Sequence, residues 1–370
     1  MPDKFLFMAD VHVKSRTWTN SLQLTGDAYT ALNTVLEKLS DQKRLPVTLV
    51  IGGDWFDSNR PSSTDILRTN YFLDQFMYVY YIAGNHDNVD PSFLSAFNCN
   101  RTVQIKRLSE TPEKMAEQDA WIAGVSWMSS AEKLQESIKS ICTTWRAEHQ
   151  KEEVLYLVLH TSFQHLLAFD GAYKLTADFI KSVIGEHTVR ILVGDIHVRD
   201  TMDLDHPGQY IHSPGSLYPL SLDQTDRQFA VSLIESVTGA IADVPIKVRS
   251  YTSVKYTTDE ALHMLYNRVV GEADNDPLPP FIRVVIDPEA EVHINTAQFP
   301  GAVVQVVRES TESQDERIIS SAGCTLLQAA VEEAGDDELL SQLVEGILAA
   351  DDPLQELKDW LDFWKVKQTV

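Results

Sequence analysis

Short apolar runs recur along the chain up to about residue 245: KFLFMAD, LPVTLVIGGD, YVYYIAGNHD, AWIAGVSW, VLYLVLH, VRILVGD and FAVSLIE. Each is apolar almost throughout, where a strand with one wet face would alternate, so the pattern predicts strands buried on both faces. Amphipathic stretches between the runs, such as Ala131 to Glu148, predict helices packed outside them in a layered α/β arrangement. Several runs end in Asp, His or Asn. Ligand sites in such sheets gather where loops leave the C-terminal strand ends, so several polar strand ends predict one composite site.

The pattern changes from about Val244 to Val307, where IKVRSYTSV, a helix-like TDEALHMLYNRVV, a Pro-rich ADNDPLPP, FIRVVID and AVVQVVRES predict a small α+β domain. ESTESQDERIISSAG has too little apolar content to build structure and reads as a linker. Two short helices are expected after it. Leu339, Leu343 and Ile347 share one face of the first beside Leu340, Val344 and Leu348; Pro353 opens the second, which carries Leu354, Leu357, Leu361 and Trp364. These helices fit either a packed cap on the same chain or a tethered hairpin that docks on a partner. The expected divisions are therefore residues 1–243, 244–308, 309–335 and 336–370.

At 370 residues the chain suits a main domain of roughly 250 residues with smaller attachments. Hydrophobic residues at 44% and charged residues at 23% are ordinary globular values, and no stretch reaches the ~20 apolar residues of a membrane span. The beginning, MPDKFLFMADVH, reads directly as a strand and lacks the succession that signals export, so a soluble, cytoplasmic protein without a membrane partner is expected. Cys99, Cys142 and Cys324 are too scattered for a disulfide framework or a zinc cluster. The net charge of −23 is unevenly spread: Tyr251 to Val370 holds 23 acidic and 8 basic residues. An acidic tail beside a metal-bearing domain leaves room for nucleic acid met through cations or through a basic partner.

Five polar clusters follow β-type runs: Asp10 and His12 in MADVH, Asp54 in GGDWFD, Asn85, His86 and Asp87 in GNHD, His160 in VLH, and Asp195 and His197 in GDIH. Singly each is weak evidence; together and in this order they supply what two divalent cations ~3.5–4 Å apart require, a carboxylate between them with O and N donors around. Imidazoles and carboxylates without cysteine suit Mn²⁺, Fe²⁺ or Zn²⁺.

Over roughly residues 4 to 235 this pattern resembles the calcineurin-like metallophosphoesterase superfamily, whose motifs run DxH, GD, GNH(D/E), H and GHxH. The resemblance implies a four-layer α/β/β/α sandwich. It also implies that Asp10, His12 and His197 hold one metal and Asn85 and His160 the other, that Asp54 bridges, and that His86 is the catalytic histidine for in-line hydrolysis of a phosphodiester. Asp87 would orient His86 or cap its loop. Where the family has the first His of GHxH this chain has Asp195, a harder donor that favours Mn²⁺ or Mg²⁺ over Zn²⁺.

GGDWFDSNRPS and YIHSPGSLYPLSLDQ are similar to segments of the SbcD-type double-strand-break repair nucleases of bacteria and their phages. That likeness implies an exonuclease and endonuclease acting on DNA, a capping domain at 244–308, and a helical segment at 336–370 that binds the coiled coil of an SbcC-type ABC ATPase. It further implies a homodimer within a heterotetramer, in the cytoplasm or the host cytoplasm. A stand-alone phosphodiesterase or phosphatase, or a catalytically weak scaffold that recruits the ATPase, are the alternatives.

Overall fold

A computed structural model describes residues 4–17, 24–41, 47–87, 103–164, 174–221, 224–225, 227–273, 276, 278–287, 289–290 and 292–308. The layering follows from strand alternation. In β1 (Lys4–Met8), Leu6 and Met8 enter one apolar cluster while Phe5 and Phe7 enter another. In β7 (Leu155–His160), Tyr156 and Val158 join the cluster of Phe5 and Phe7, whereas Leu155, Leu157 and Leu159 belong to a third. Successive side chains point to opposite faces of a sheet, so the shared cluster lies between two sheets and the other two lie on their outer faces.

Helices cover those outer faces. Ala28, Leu32 and Val35 of α1 (Asp27–Asp41), with Phe72 and Leu73 of α2 (Ser63–Leu73), pack on the side of Leu6 and Met8. Leu134, Ile138, Ile141 and Trp145 of α3 (Ala131–Glu148), with Ile180 and Ile184 of α4 (Ala177–Ile184), pack on the side of Leu155 and Leu157. The span of α3 matches the amphipathic stretch expected from sequence, and Ser130 caps it by accepting the Lys133 amide. The result is the expected α/β/β/α sandwich.

The first sheet has the order β12 (Ile241–Pro245), β11 (Ala230–Glu235), β1, β2 (Thr48–Gly52), β3 (Tyr78–Ile82), β4 (Gln104–Arg107). The second has the order β5 (Glu113–Lys114), β6 (Trp121–Val125), β7, β8 (Val189–Gly194), β10 (Tyr210–Pro214), β9 (Arg199–Asp203). Strands β1 to β4 pair in parallel, as do β6, β7, β8 and β10. The C-terminal ends of β1, β2, β3, β7 and β8 each lead into one of the five polar clusters.

Beyond the sandwich, β13 (Tyr251–Lys255), β14 (Phe281–Ile286) and β15 (Val303–Arg308) form a three-stranded sheet in that order, with α5 (Asp259–Glu272) capped by Thr258. Strand β12 stays in the first sheet through Pro245, and this three-stranded sheet and its helix follow it in the chain. Compactness groups Met1–Val284 with Ile294–Val306 as one unit, and Val285–His293 with Val307–Val370 as another. Within the second, Arg308 donates to the carbonyls of Ala290 at 2.7 Å and Val292 at 3.2 Å. The expected linker 309–335 and helical segment 336–370 lie outside the described residues, as do Cys99 and Cys324. Cys142 is a buried free thiol that burial pushes up to about 12. No helix among the described residues is long and apolar enough to cross a membrane.

Candidate metal centre

The loops after β1 and β2 continue side by side beyond their strands. The amides of Asp10, His12 and Val13 donate to the carbonyls of Gly53, Asp54 and Trp55 at 3.2, 3.0 and 2.7 Å. The GNHD loop after β3 is tied to them: the His86 amide donates to Asp54 Oδ1 at 2.9 Å, and the Trp55 amide to Asp87 Oδ2 at 2.8 Å. From the other sheet, the Asp195 amide donates to both carboxylate oxygens of Asp10 at 2.9 and 3.1 Å.

These loops hold strained backbone. Asp10 (φ 51°), His12 (45°), Asp54 (49°), Asp195 (91°) and His197 (53°) occupy the left-handed region, and Glu117 is the one other described non-glycine residue that does. Each such conformation costs on the order of 1–3 kcal/mol and persists only where surrounding structure over-determines it, a condition that clusters at functional sites. The motif glycines supply the space. A Cβ on Gly84 would collide with Asp54 Oδ1, and one on Gly53 would collide with His160 Nδ1.

Five of the seven predicted metal-site residues, Asp10, His12, Asp54, His160 and His197, fall in two groups of ligand atoms. Asp10, His12 and His197 present ligand atoms within 4.8 Å of one another, as do Asp10, Asp54 and His160. Asp54 Oδ2 stands 3.6 Å from His12 Nε2 and 3.3 Å from His160 Nε2, between the two groups. Asn85 Oδ1 is 3.2 Å from His160 Nε2. His160 Nδ1 meets the Gly52 carbonyl at 2.8 Å, which fixes the tautomer and turns the Nε2 lone pair inward. Asp195 lies at the margin, its side chain 30% exposed and its Oδ1 3.9 Å from His160 Nε2.

The electrostatics of these residues follow from burial and from the charges they place beside one another. Burial pushes the fully enclosed Asp10 carboxyl up to about 8, and the nearby Asp54 and Asp195 carboxylates add to the rise. Burial also works against the Asp54 carboxylate, but His160, His12 and His86 outweigh it and hold Asp54 well below the usual carboxylate range. His160 titrates well above the ordinary imidazole because Asp54 and Asp10 overcome its burial, whereas burial and His12 lower His197 to about 3. Buried carboxylates and imidazoles without thiolates form a donor set that fits divalent cations.

His86 is exposed, and its Nδ1 faces the main-chain carbonyl of Asp57 at 2.9 Å. Asp87 is buried and receives the amides of Gly84, Trp55 and, at 3.4 Å, Phe56; of its two expected roles, loop capping is the one these contacts describe. Two neighbours to which sequence reasoning gave no role lie in the segments GGDWFDSNRPS and YIHSPGSLYPLSLDQ. Asp57 brings a carboxylate within 3.2 Å of His12 Nδ1, and Tyr218, fully buried, donates its hydroxyl to the His12 carbonyl at 2.8 Å. Only the tertiary fold places Tyr218 there.

Residues 3–129 match the calcineurin-like phosphoesterase family. That class binds divalent metals and hydrolyses phosphoesters. Similar solved structures include TT1561 of Thermus thermophilus, at 13% identity and TM-score 0.45 over 66% of this chain and 99% of that one. Another is the phosphopantetheinyl hydrolase of Mycobacterium tuberculosis, at 14% identity and TM-score 0.33 over 58% of this chain and 90% of that one. No curated protein sequence matches the chain.

Proposed function

We propose that this protein is a two-metal phosphodiesterase that serves as the DNA nuclease subunit of an SbcCD-like repair and recombination complex. The observation that carries the phosphodiesterase reading is the pair of ligand groups sharing Asp10, with Asp54 between them. In this reading Asp10, His12 and His197 would hold one cation, Asn85 and His160 the other with Asp195 beside them, and Asp54 would be shared between the two. Mn²⁺ or Mg²⁺ bound there would supply an activated water and positive charge for the phosphoryl oxygens.

The chain's own groups do the rest. His86, exposed and anchored through Nδ1, would protonate or hydrogen-bond the leaving oxygen through Nε2. Asp87 acts through the loop: by binding the Gly84 and Trp55 amides it keeps Asn85 and His86 in register with Asp54.

Support for the nuclease branch comes from the two segments that resemble it, because both pack on the site. GGDWFDSNRPS supplies Asp54 and Asp57, while SPGSLY supplies Tyr218 on the His12 carbonyl. With that branch go DNA as substrate, a homodimer, an SbcC-type ATPase docked on 336–370, and a cytoplasmic location. Degradation of end-labelled linear duplex DNA with Mn²⁺, with and without the ATPase, tests the proposal. Cleavage lost in His86→Ala, with Mn²⁺ binding retained, supports it. Hydrolysis of bis(p-nitrophenyl) phosphate without DNA cleavage, even with the ATPase, refutes the nuclease branch in favour of a small-substrate phosphodiesterase.

A further inference from the structure

His12 is 3% exposed and offers Nε2 toward the metal group: His197 Nε2 is 3.4 Å away and Asp54 Oδ2 is 3.6 Å away. For Nε2 to be a lone-pair donor, Nδ1 must carry the ring proton, and a buried ring N–H needs something negative beside it. No well-aligned hydrogen-bond partner meets His12 Nδ1 among the described residues. What stands next to it is Asp57, whose Oδ1 is 3.2 Å away.

Asp57 reaches this position because its loop is zipped to that of His12. Val13 and Phe56 form a parallel bridge, continuing the register set by the Val13 amide on the Trp55 carbonyl. The same pairing puts Lys14 across from Asp57, and Lys14 Nζ donates to Asp57 Oδ1 at 2.7 Å. On its main-chain side, Asp57 presents its carbonyl to His86 Nδ1 at 2.9 Å. One residue therefore faces the outer nitrogen of two site histidines, one with its carboxylate and the other with its backbone.

We infer that Asp57 is a positioning residue for the metal centre: its carboxylate holds His12 in the tautomer and orientation that direct Nε2 at a cation, while its carbonyl does the same for His86 without occupying Nε2. The inference rests on the two-cation reading above. His12, Asp57 and His86 also form a group with ligand atoms within 4.8 Å, which raises the rival role of Asp57 as a direct ligand. The Lys14 ammonium decides against it. A charge of +1 already hydrogen-bonded to the same oxygen repels a divalent cation there and is suited to a carboxylate that acts through its neighbour.

The experiment is calorimetric titration of manganese(II) chloride into the cation-stripped full chain, for the wild type, Asp57→Ala and Asp57→Asn, with thermal melting of each. Loss of an outer-shell partner of a ligating His typically weakens metal binding ~10–100-fold. One of two binding events should weaken by that amount in Asp57→Ala, the other should not move, and the melting temperature without metal should be nearly unchanged. Asp57→Asn keeps the shape and an acceptor oxygen, so it should fall between the two. Wild-type affinity for both events in Asp57→Ala overturns the inference. So does a wild type that binds three Mn²⁺ where Asp57→Ala binds two, which makes Asp57 a ligand. A wild type that binds no Mn²⁺ removes the two-cation reading itself, and this inference with it.

Discussion

The carboxylate of Asp87 receives the main-chain amide of Trp55 at 2.8 Å while its other oxygen receives that of Gly84 at 2.8 Å, so a single buried side chain holds the GNHD loop against the GGD loop. Burial and the neighbouring Asp54 raise the Asp87 carboxyl above its ordinary value, and the two amides pull it back. Replacing Asp87 by Ala removes the acceptor of the two short amide bonds, from Gly84 and Trp55, each stranded N–H costing roughly 1–3 kcal/mol. Asp87→Ala should therefore lower the denaturation midpoint by an amount corresponding to about 2–4 kcal/mol and weaken metal binding, because Asp54 and Asn85 lose their mutual register. Urea unfolding with a parallel Mn²⁺ titration checks both. A variant with wild-type stability would show that the amides find other partners.

Cation binding should be coupled to proton release. In the cation-free protein, burial together with the Asp54 and Asp195 charges lifts Asp10 to about 8, and His160 is held well above the usual imidazole range by Asp54 and Asp10 despite its own burial. Both groups thus bind protons near neutrality, and both must lose them to ligate. The sign follows: a proton competes with the cation at Asp10 below about pH 8, and at the raised His160 as well, so affinity rises with pH through that region. Titrations at about pH 7 in buffers of different ionisation enthalpy should show net proton release. Binding at that pH with no proton release would contradict the coupling.

Much of this was legible in the sequence because strand ends are local. Runs buried on both faces announced β1, β2, β3, β7 and β8, and the residues that follow each run are the ones the fold brings together. Asp57 was not legible as a participant. It follows an aromatic pair in a polar stretch, and its contact with His12 exists only because two loops zip in parallel. Tyr218 lies far along the chain and reaches His12 through a hydrogen bond that no periodicity encodes. Backbone strain was equally hidden, since a left-handed Asp or His has no signature beyond the glycines beside it.

Arg249 illustrates the same limit for stability. Its guanidinium pairs with Asp27 at the start of α1, Nε to Oδ1 at 3.0 Å and a terminal nitrogen to Oδ2 at 3.1 Å, and it also donates to the carbonyls of Thr25 and Pro279. Both side chains are almost wholly buried. Breaking a buried pair by removing one partner costs about 3–5 kcal/mol, because the other charge stays unpaired in the interior. Arg249→Met should lose stability on that scale, and pairing it with Asp27→Leu should recover part of the loss. Recovery would show in the midpoint of urea denaturation; a double variant no better than the single one would locate the cost in the lost carbonyl contacts.

Asp195 offers a test of metal choice that separates its backbone from its side chain. Its amide is fixed on Asp10 and its φ of 91° suits few residues besides Gly, Asn, Asp and His, so Asp195→His should keep the loop. The side chain, 3.9 Å from His160 Nε2, is near enough for a small rotation to bring it to a cation held by His160 and Asn85. Exchanging carboxylate for imidazole adds a softer donor and removes a negative charge, which favours Zn²⁺ relative to Mn²⁺. Competition binding should show the Zn²⁺/Mn²⁺ preference rise by an order of magnitude or more, about 1.4 kcal/mol per factor of ten. If the preference is unchanged, Asp195 contributes to the centre through its amide alone, and the second cation rests on Asn85, His160 and the shared Asp54.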